Sequence, residues 1–574
     1  MSFTQLFIFL LIIQALHGLA TWKLYIKAGR QAWEAFVPVY NAVILMKIIN
    51  RPWWWTILLF LPIVNLIMFP VIWVETARSF GKNSNLDTFL AIISLGFYNF
   101  YLNYVADVTY IEDRSLQPRS EVGDWVSSIL FAIVAATIVH TYFIQPFVIP
   151  TSSLEKTLLI GDFLFVSKFH YGARTPQTSL ALPMVHDSIP VVNTKSYISD
   201  DDRTTRDDSW ANKTFLPYFR LPGFQNIKRN DIVVFNWPVD TVQDFFKVPK
   251  RGFIKPVDKK SNYVKRAVGI PGDSMAIKNG YIYTNGKKNV LPDRARIQFY
   301  YSVTTKDDLD QGFVDNNIHS QFWRFYNINS KYWDDPRLQE YFNKDNRAYL
   351  NEGSRDSLNI EVVGFVRNDD MLKFKMEPLL NKINVNLTEE EAQTLRNNPK
   401  VASVEKFDYQ PKEDVFPHAP GYNWSFDNFG PIYIPEAGKT VDLNLDVLPL
   451  YERIISEYEN NKISVKGNQI FINGELATTY TFKQDYYWMM GDNRHNSQDA
   501  RAWGYVPFDH VVGKPVLIWM SYDTNASGLN KIRWNRLFTT VHGSGKPVSY
   551  LIPVLVLIAL GYGFSKFRKR KKKA

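Results

Sequence analysis

Three short segments of this 574-residue chain gather the side chains that could do chemistry. Ile149-Pro-Thr-Ser-Ser-Leu-Glu-Lys-Thr-Leu-Leu-Ile-Gly-Asp162 sets Thr151, Ser152 and Ser153 in a row. Asn262-Tyr-Val-Lys-Arg-Ala-Val-Gly-Ile-Pro-Gly-Asp273 places Lys265 and Arg266 inside an apolar run. Met489-Met-Gly-Asp-Asn-Arg-His-Asn-Ser-Gln-Asp-Ala-Arg-Ala-Trp-Gly-Tyr-Val-Pro507 carries Asp492, Ser497, Asp499 and Arg501. The chain has no cysteine, which excludes a thiol nucleophile, a thiolate metal site and disulfides. No His/Asp/Glu cluster has convincing metal-ligand spacing, and no phosphate-binding glycine loop occurs, so no cofactor is expected. Attack by a serine hydroxyl remains open, and it requires a base within hydrogen-bonding reach. A histidine is one candidate, His495 or His170 among nine, but a lone histidine is usually structural or exposed.

In order and wording the three segments resemble the boxes of the type I signal peptidases (leader peptidases), membrane-bound serine proteases that remove signal peptides. The flanking runs Gly161-Asp-Phe-Leu-Phe-Val-Ser-Lys168 and Lys228-Arg-Asn-Asp-Ile-Val-Val-Phe235 match as well. The resemblance covers most of 145–290 and 463–540. It implies that Ser153 is the nucleophile and Lys265 the general base, where related endoplasmic-reticulum enzymes have histidine. A lysine normally titrates near ~10.4, and bringing it to ~8 takes roughly 3 kcal/mol of differential desolvation. Val264 and Val268 are compatible with such burial, and on a strand Lys265 and Arg266 face opposite ways. The resemblance further implies an oxyanion hole from the Ser153 N–H and the Thr151 hydroxyl, and a Ser497 that orients the lysine. Asp492 with Arg266, and Asp499 with Arg501, would brace the site. Phe147, Ile149, Leu154, Leu158 and Val264 would wall shallow pockets for small side chains. Two positions depart from the family: Leu154 replaces the usual Met, and Lys156 the usual Pro.

The elements that must position these residues read as mainly β. From 150 to 546 short alternating runs are separated by Gly, Pro and Asn. Asp231 to Trp237 is a strand ended by Pro238, and Tyr263 to Ile270 is another, closed by Pro271-Gly272-Asp273. Ile277-Lys-Asn-Gly-Tyr-Ile-Tyr-Thr-Asn-Gly286 and Val465-Lys-Gly-Asn-Gln-Ile-Phe-Ile-Asn-Gly474 each read as a small hairpin. Between them, 291–462 is irregular apart from a capping box, Thr388-Glu-Glu-Glu391, ahead of a helix.

The mean hydropathy of −0.20 hides strong segregation. Uncharged stretches cover roughly 4–22, 52–74, 88–106, 125–149 and 547–565, each close to the ~20 apolar residues that cross a bilayer. The stretch 32–50 is apolar but carries Glu34, Pro38 and Lys47, and reads as interfacial or re-entrant. The basicity lies largely in a tail: seven of the last nine residues are Lys or Arg, and without them the net charge falls from +10 to +3. That tail follows an apolar run, which speaks for a membrane surface over nucleic acid. With the tail and the basic loop Lys23–Arg51 cytoplasmic, five spans put 150–546 outside.

The expected architecture is therefore a membrane-anchored, mainly-β catalytic domain of antiparallel sheets with an α+β insertion. Its parts are a three-span region at 1–124, a transmembrane helix at 125–149, catalytic segments at 150–290 and 463–545, and an insertion at 291–462. A C-terminal transmembrane helix at 546–565 and a cytoplasmic basic tail at 566–574 complete it. The expected activity is a signal peptidase I in the bacterial inner membrane, active on its outer face. Its partners would be preproteins cut after Ala-X-Ala-like sites and the lipid bilayer, with no nucleic acid. The alternative is a catalytically silent scaffold that binds exported chains.

Overall fold

The computed structural model describes the chain except residues 119, 191, 242–251, 319, 334, 339–347, 356–357, 365, 367, 408–414 and 572–574. The last three residues of the expected basic tail thus lie outside the described residues. Among the described residues, two helices have the length and apolar composition to cross a membrane, α1 (Phe3–Lys27) and α2 (Glu121–Ile138, prolonged by a π turn to Phe143). A further helix, Leu551–Lys571, is apolar only as far as Lys566.

The other two expected N-terminal spans fold back on themselves. The stretch 52–74 is divided between helices Trp55–Leu58 and Val64–Ser79, with Pro62 and a left-handed Ile63 (φ +70°) at the break. Its two ends meet again: Arg114 contacts the Ile49 carbonyl, the Glu75 carboxylate and the Ser79 hydroxyl at 3.0, 2.5 and 2.8 Å. The stretch 88–106 is likewise split, into Asn85–Ile93 and Tyr98–Tyr104, by Leu95 (φ +51°) and Gly96 (φ +88°). A Cβ on Gly96 would lie 2.5 Å from the Trp73 ring, so this turn needs glycine on two counts. Asn103 accepts the Lys23 and Leu24 N–H groups, returning this stretch to the C-terminal end of α1.

The predicted 125–149 helix ends earlier than its apolar run. The chain passes from Phe143 straight into strand β1 (Ile144–Val148), and the Lys168 N–H donates to the Phe143 carbonyl at 2.9 Å. β-Branched and aromatic residues take over there, and a neighbouring strand satisfies the backbone. The main strands of the eight-stranded catalytic sheet are β1, β2 (Asp162–Ser167), β3 (Ile232–Asn236), β4 (Asn262–Gly269), β5 (Tyr486–Met490), β6 (Val506–Pro507) and β7 (Val511–Ser521), with the short strand Thr539–Thr540 also paired to β7. They lie in the order β1-β2-β7-β3-β4-β5-β6, all antiparallel. In register, Val233 faces Lys265 and Met490 faces Arg266.

The expected insertion divides in two. Residues 298–406 build their own six-stranded sheet, carrying α3 (Glu389–Arg396) behind the Thr388 capping box. Residues from Val415 onward return to the main core: Phe416, Phe429, Ile432, Leu448 and Tyr451 are buried with Trp488 and Tyr505. Strand Phe429–Tyr433 pairs with Ser274–Lys278. Polar, turn-rich sequence had concealed this return, because its apolar residues are spaced by loops with no regular period.

Candidate active site

Ser153 sits in a 3₁₀ turn, Ser152–Leu154, that follows β1, and Lys265 sits in mid-β4. Both are buried, 6% and 3% exposed, and the Lys265 Nζ lies 2.7 Å from the Ser153 Oγ. Burial draws the lysine down to about 8, with Arg501 adding to the effect against the opposing Asp499 and Asp492 charges. The amine also reaches the Val264 carbonyl at 3.2 Å and the face of Tyr263 at 5.2 Å. Arg266 points the other way, into a two-pronged pairing with Asp492 at 2.7 and 2.6 Å. Both strand neighbours are therefore buried, and only the arginine has a carboxylate partner. Burial works against ionisation of Asp492, yet Arg266 and the Thr157 hydroxyl hold it below the usual carboxylate range.

The Gly-Asp-Asn-Arg segment clamps the turn bearing Ser153. The Asn493 N–H donates to the Ser153 carbonyl at 3.0 Å and its side chain to the Ser152 carbonyl at 3.2 Å; Asn496 donates to the Ser152 hydroxyl at 2.8 Å. Gly491 permits this approach, since a Cβ there would lie 2.3 Å from Ser497 Oγ and 2.6 Å from the Ser153 carbonyl. Asp499 grips Arg501 at 2.9 and 2.8 Å and accepts the Gly491 N–H at 3.0 Å. Ser497 lines the cleft beside Lys265, but among the described residues its buried hydroxyl has no hydrogen-bond partner, and the expected bond to the lysine is not made. Thr151 is exposed at the cleft, and its hydroxyl makes no cap bond to the turn.

The histidine alternative can be judged on geometry. The His495 Nδ1 accepts the Tyr300 N–H at 3.1 Å, which leaves the proton on Nε2, 2.9 Å from the Asp427 carboxylate. Both ring nitrogens are thus committed away from Ser153. His170 bonds the Ser167 hydroxyl at the end of β2.

The cleft has a volume of about 1320 Å³. Phe147, Ile149 and Val264 line it as expected. Leu154 and Leu158 do not: each is 1% exposed, packed behind the wall with Ile149, Leu164 and Ile232. On an irregular turn the sequence spacing does not say which side chains face the cavity. Leu164 and Val234 take their places in the lining.

Sequence reasoning also missed the contribution of the inserted sheet. Gln298 exchanges backbone bonds with Asp492 and Arg494 at 2.9 Å each, and its side chain reaches the Glu155 carbonyl at 2.5 Å. Asn386 donates to the Asn493 side chain at 2.6 Å. Lys156 pairs with Glu391 of α3. Gln298 and Asn386 lie in no local motif, and the capping box that holds Glu391 does not point to Lys156.

The structure thus sets a buried amine against a serine hydroxyl, on an antiparallel sheet beside a cleft. The chain matches the family described as "Signal peptidase, peptidase S26" over residues 122–370 and 436–520, more than half its length, and it belongs to that family. Relatives include the signal peptidase I of Buchnera aphidicola subsp. Baizongia pistaciae, 24% identical over 68% of this chain and 73% of the relative. The signal peptidase I of Helicobacter pylori J99 is 21% identical over 74% of this chain and 93% of the relative. Signal peptidase I P of Bacillus subtilis subsp. natto is 24% identical over 31% of this chain and 57% of the relative. Residues 33–113 separately match a family of unknown function (DUF5684), which covers both folded-back stretches.

Proposed function

We propose that this signal peptidase, a serine endopeptidase acting on exported preproteins, works through Ser153 and Lys265. The observation that carries the reading is the 2.7 Å contact between the two side chains in a buried pocket where desolvation of the lysine outweighs the pull of Asp499 and Asp492. Neutral Lys265 accepts the Ser153 proton as Oγ attacks the scissile carbonyl carbon. The developing oxyanion meets the Ser153 N–H, one of the orphan donors at the start of a helical turn, and the Thr151 hydroxyl. The lysine then passes its proton to the departing amine, and a water repeats the sequence to hydrolyse the ester. Asp492 with Arg266, and Asp499 with Arg501, keep these groups in register, and Ser497 packs beside the lysine. The apolar walls at Phe147, Ile149 and Val264 favour a small residue such as Ala before the cut. The test is cleavage of a purified preprotein: Ser153→Ala and Lys265→Ala should each abolish it, and full activity of Lys265→Ala would refute the dyad.

The domain layout we favour keeps the 125–149 segment as the anchor of the catalytic domain, now ending at Phe143, and the 546–565 segment as a C-terminal span with a cytoplasmic tail. Stretches that return to their starting side remove crossings in pairs. Three crossings therefore give the same orientation as five: tail inside, catalytic domain on the outer face of the bacterial cytoplasmic membrane. The basic loop Lys23–Arg51 supports this side assignment.

A further inference from the structure

Where α2 meets the catalytic domain, a cavity of about 100 Å³ lies away from the peptidase cleft. Ile63, at the tip of the folded-back 52–74 stretch, forms one wall, and His140 and Thr141 at the end of α2 form another. The charged lining is Lys168, Arg174 and Lys259 against one carboxylate among the described residues, Asp258; Gln145, Asn236, Asn262 and His186, which burial keeps neutral, are the remaining polar groups. The Asp258 oxygens accept the Thr178 N–H at 3.2 Å and hydroxyl at 2.8 Å, and its single charge is shared among Lys168, Arg174 and Lys259.

Among the described residues none of the three cations, Lys168, Arg174 and Lys259, forms an ion pair, although the charge of Asp258 acts on each of them. Arg174 donates only to neutral groups, the Asp509 carbonyl at 2.6 Å and the Asn236 side chain at 2.7 Å. Lys259 reaches the Val185 carbonyl at 3.4 Å and lies over the Tyr197 ring at 5.2 Å. Lys168 is half-buried just after β2, and among the described residues its ammonium makes neither a hydrogen bond nor an ion pair. Burial, with Arg174 and Arg220 nearby, draws it down to about 7. Grouping like charges in a cavity is unfavourable unless an anion joins them. A planar guanidinium beside ammonium groups suits phosphate oxygens. The place also matters: the cavity sits at the catalytic end of a helix with the composition of a membrane span, and the ends of a spanning helix meet the headgroup layer.

We propose that this cavity binds the phosphate group of an anionic ligand, with Lys168, Arg174 and Lys259 as its donors. An anionic phospholipid headgroup would deliver that phosphate at this level; free phosphate shares the chemistry. The site is separate from peptide-bond cleavage and ties the membrane-embedded region to the catalytic domain.

Native mass spectrometry of the full chain in detergent tests this, with short-chain phosphatidylglycerol, phosphatidylcholine and inorganic phosphate as probes. The wild type should retain one phosphatidylglycerol and no phosphatidylcholine. Lys168→Gln should weaken that retention about tenfold, and Lys168→Arg should preserve it. Continued cleavage of a preprotein by Lys168→Gln verifies its fold, and Lys259→Gln repeats the test independently. Displacement of the lipid by millimolar phosphate identifies a site that reads phosphate alone; resistance to displacement identifies the lipid as the ligand, and both uphold the site. Equal phosphatidylglycerol retention by the wild type and both glutamine variants, or equal retention of phosphatidylcholine, overturns the proposal.

Discussion

Lys156, three residues after Ser153, is ion-paired with Glu391 on α3 of the inserted sheet, 235 positions away. The pair stands where related peptidases carry proline, and Lys156 adopts φ +65°, which a proline ring cannot reach. The loop here is held by a contact from the insertion in place of a rigid ring. Lys156→Pro should therefore damage activity far more than Lys156→Ala. Glu391→Gln, which can still cap its helix, should lower kcat a few-fold with KM little changed. The pair is partly exposed and worth under ~1 kcal/mol in stability, so thermal unfolding should scarcely move. Equal kcat values for the Pro and Ala variants would remove the loop from the argument.

Lys265 sets a pH dependence in both rate and stability. In its proposed role as the base it must be neutral, so kcat/KM should climb with pH and level off above about 8. Its folded value lies below the ~10.4 of the unfolded chain, so stability rises with pH between the two, and the penalty is constant below 8. Lys265→Met should be inactive yet more stable than the wild type at pH 7, by up to roughly 3 kcal/mol. The gain should shrink towards pH 10.4. Denaturant unfolding at pH 7 and pH 10 measures it, and a gain independent of pH would contradict the assignment.

His495 should prove a brace and not a base. Its nitrogens tie Tyr300 of the inserted sheet to Asp427, so His495→Asn should destabilise the fold by roughly 1–3 kcal/mol. The pH–rate profile of the surviving activity should keep its rise towards 8. Loss of that limb, with the fold intact by circular dichroism, would restore the histidine mechanism.

Selectivity follows from the lining of the cleft. Phe147, Ile149 and Val264 present no charge, so an acidic residue before the scissile bond stays unpaid for its desolvation and a bulky one displaces the carbonyl from Ser153. Peptides differing only at that position should be cut in the order Ala far above Leu and Asp, with losses in kcat as well as KM. Similar rates for all three would show that other residues read the substrate.

Reporter fusions address topology. A reporter after Ala574 should report the cytoplasm and one within 300–450 the outside. A periplasmic reading at Ala574 would require an even number of crossings.

How much was legible depended on distance along the chain. The Ser153, Lys265 and Asp492 segments are contiguous strings, and the Arg266–Asp492 and Asp499–Arg501 pairings could be stated from them. Gln298 and Glu391 reach the Ser153 loop from more than 140 residues away and Asn386 reaches Asn493 from 107, and no local pattern marks a residue whose partner is chosen by tertiary packing. Leu154 and Leu158 show the limit inside a motif, because a turn without a period does not declare its inner side. The folded-back stretches were harder still: hydropathy registers apolar length, and only Pro62 and Gly96 hint that the helices stop.

The direct passage from α2 into β1 has a mechanical meaning. No loop separates Phe143 from Ile144, and the bond from Lys168 to Phe143 closes the joint. A domain mounted on such a rigid stem cannot tip or rise by the lengths that a flexible tether allows. Ser153 is then held like the blade of a fixed-height plane: where a substrate is cut is set by how far its own helix protrudes, and a few residues inserted after Phe143 should move the cut along the substrate.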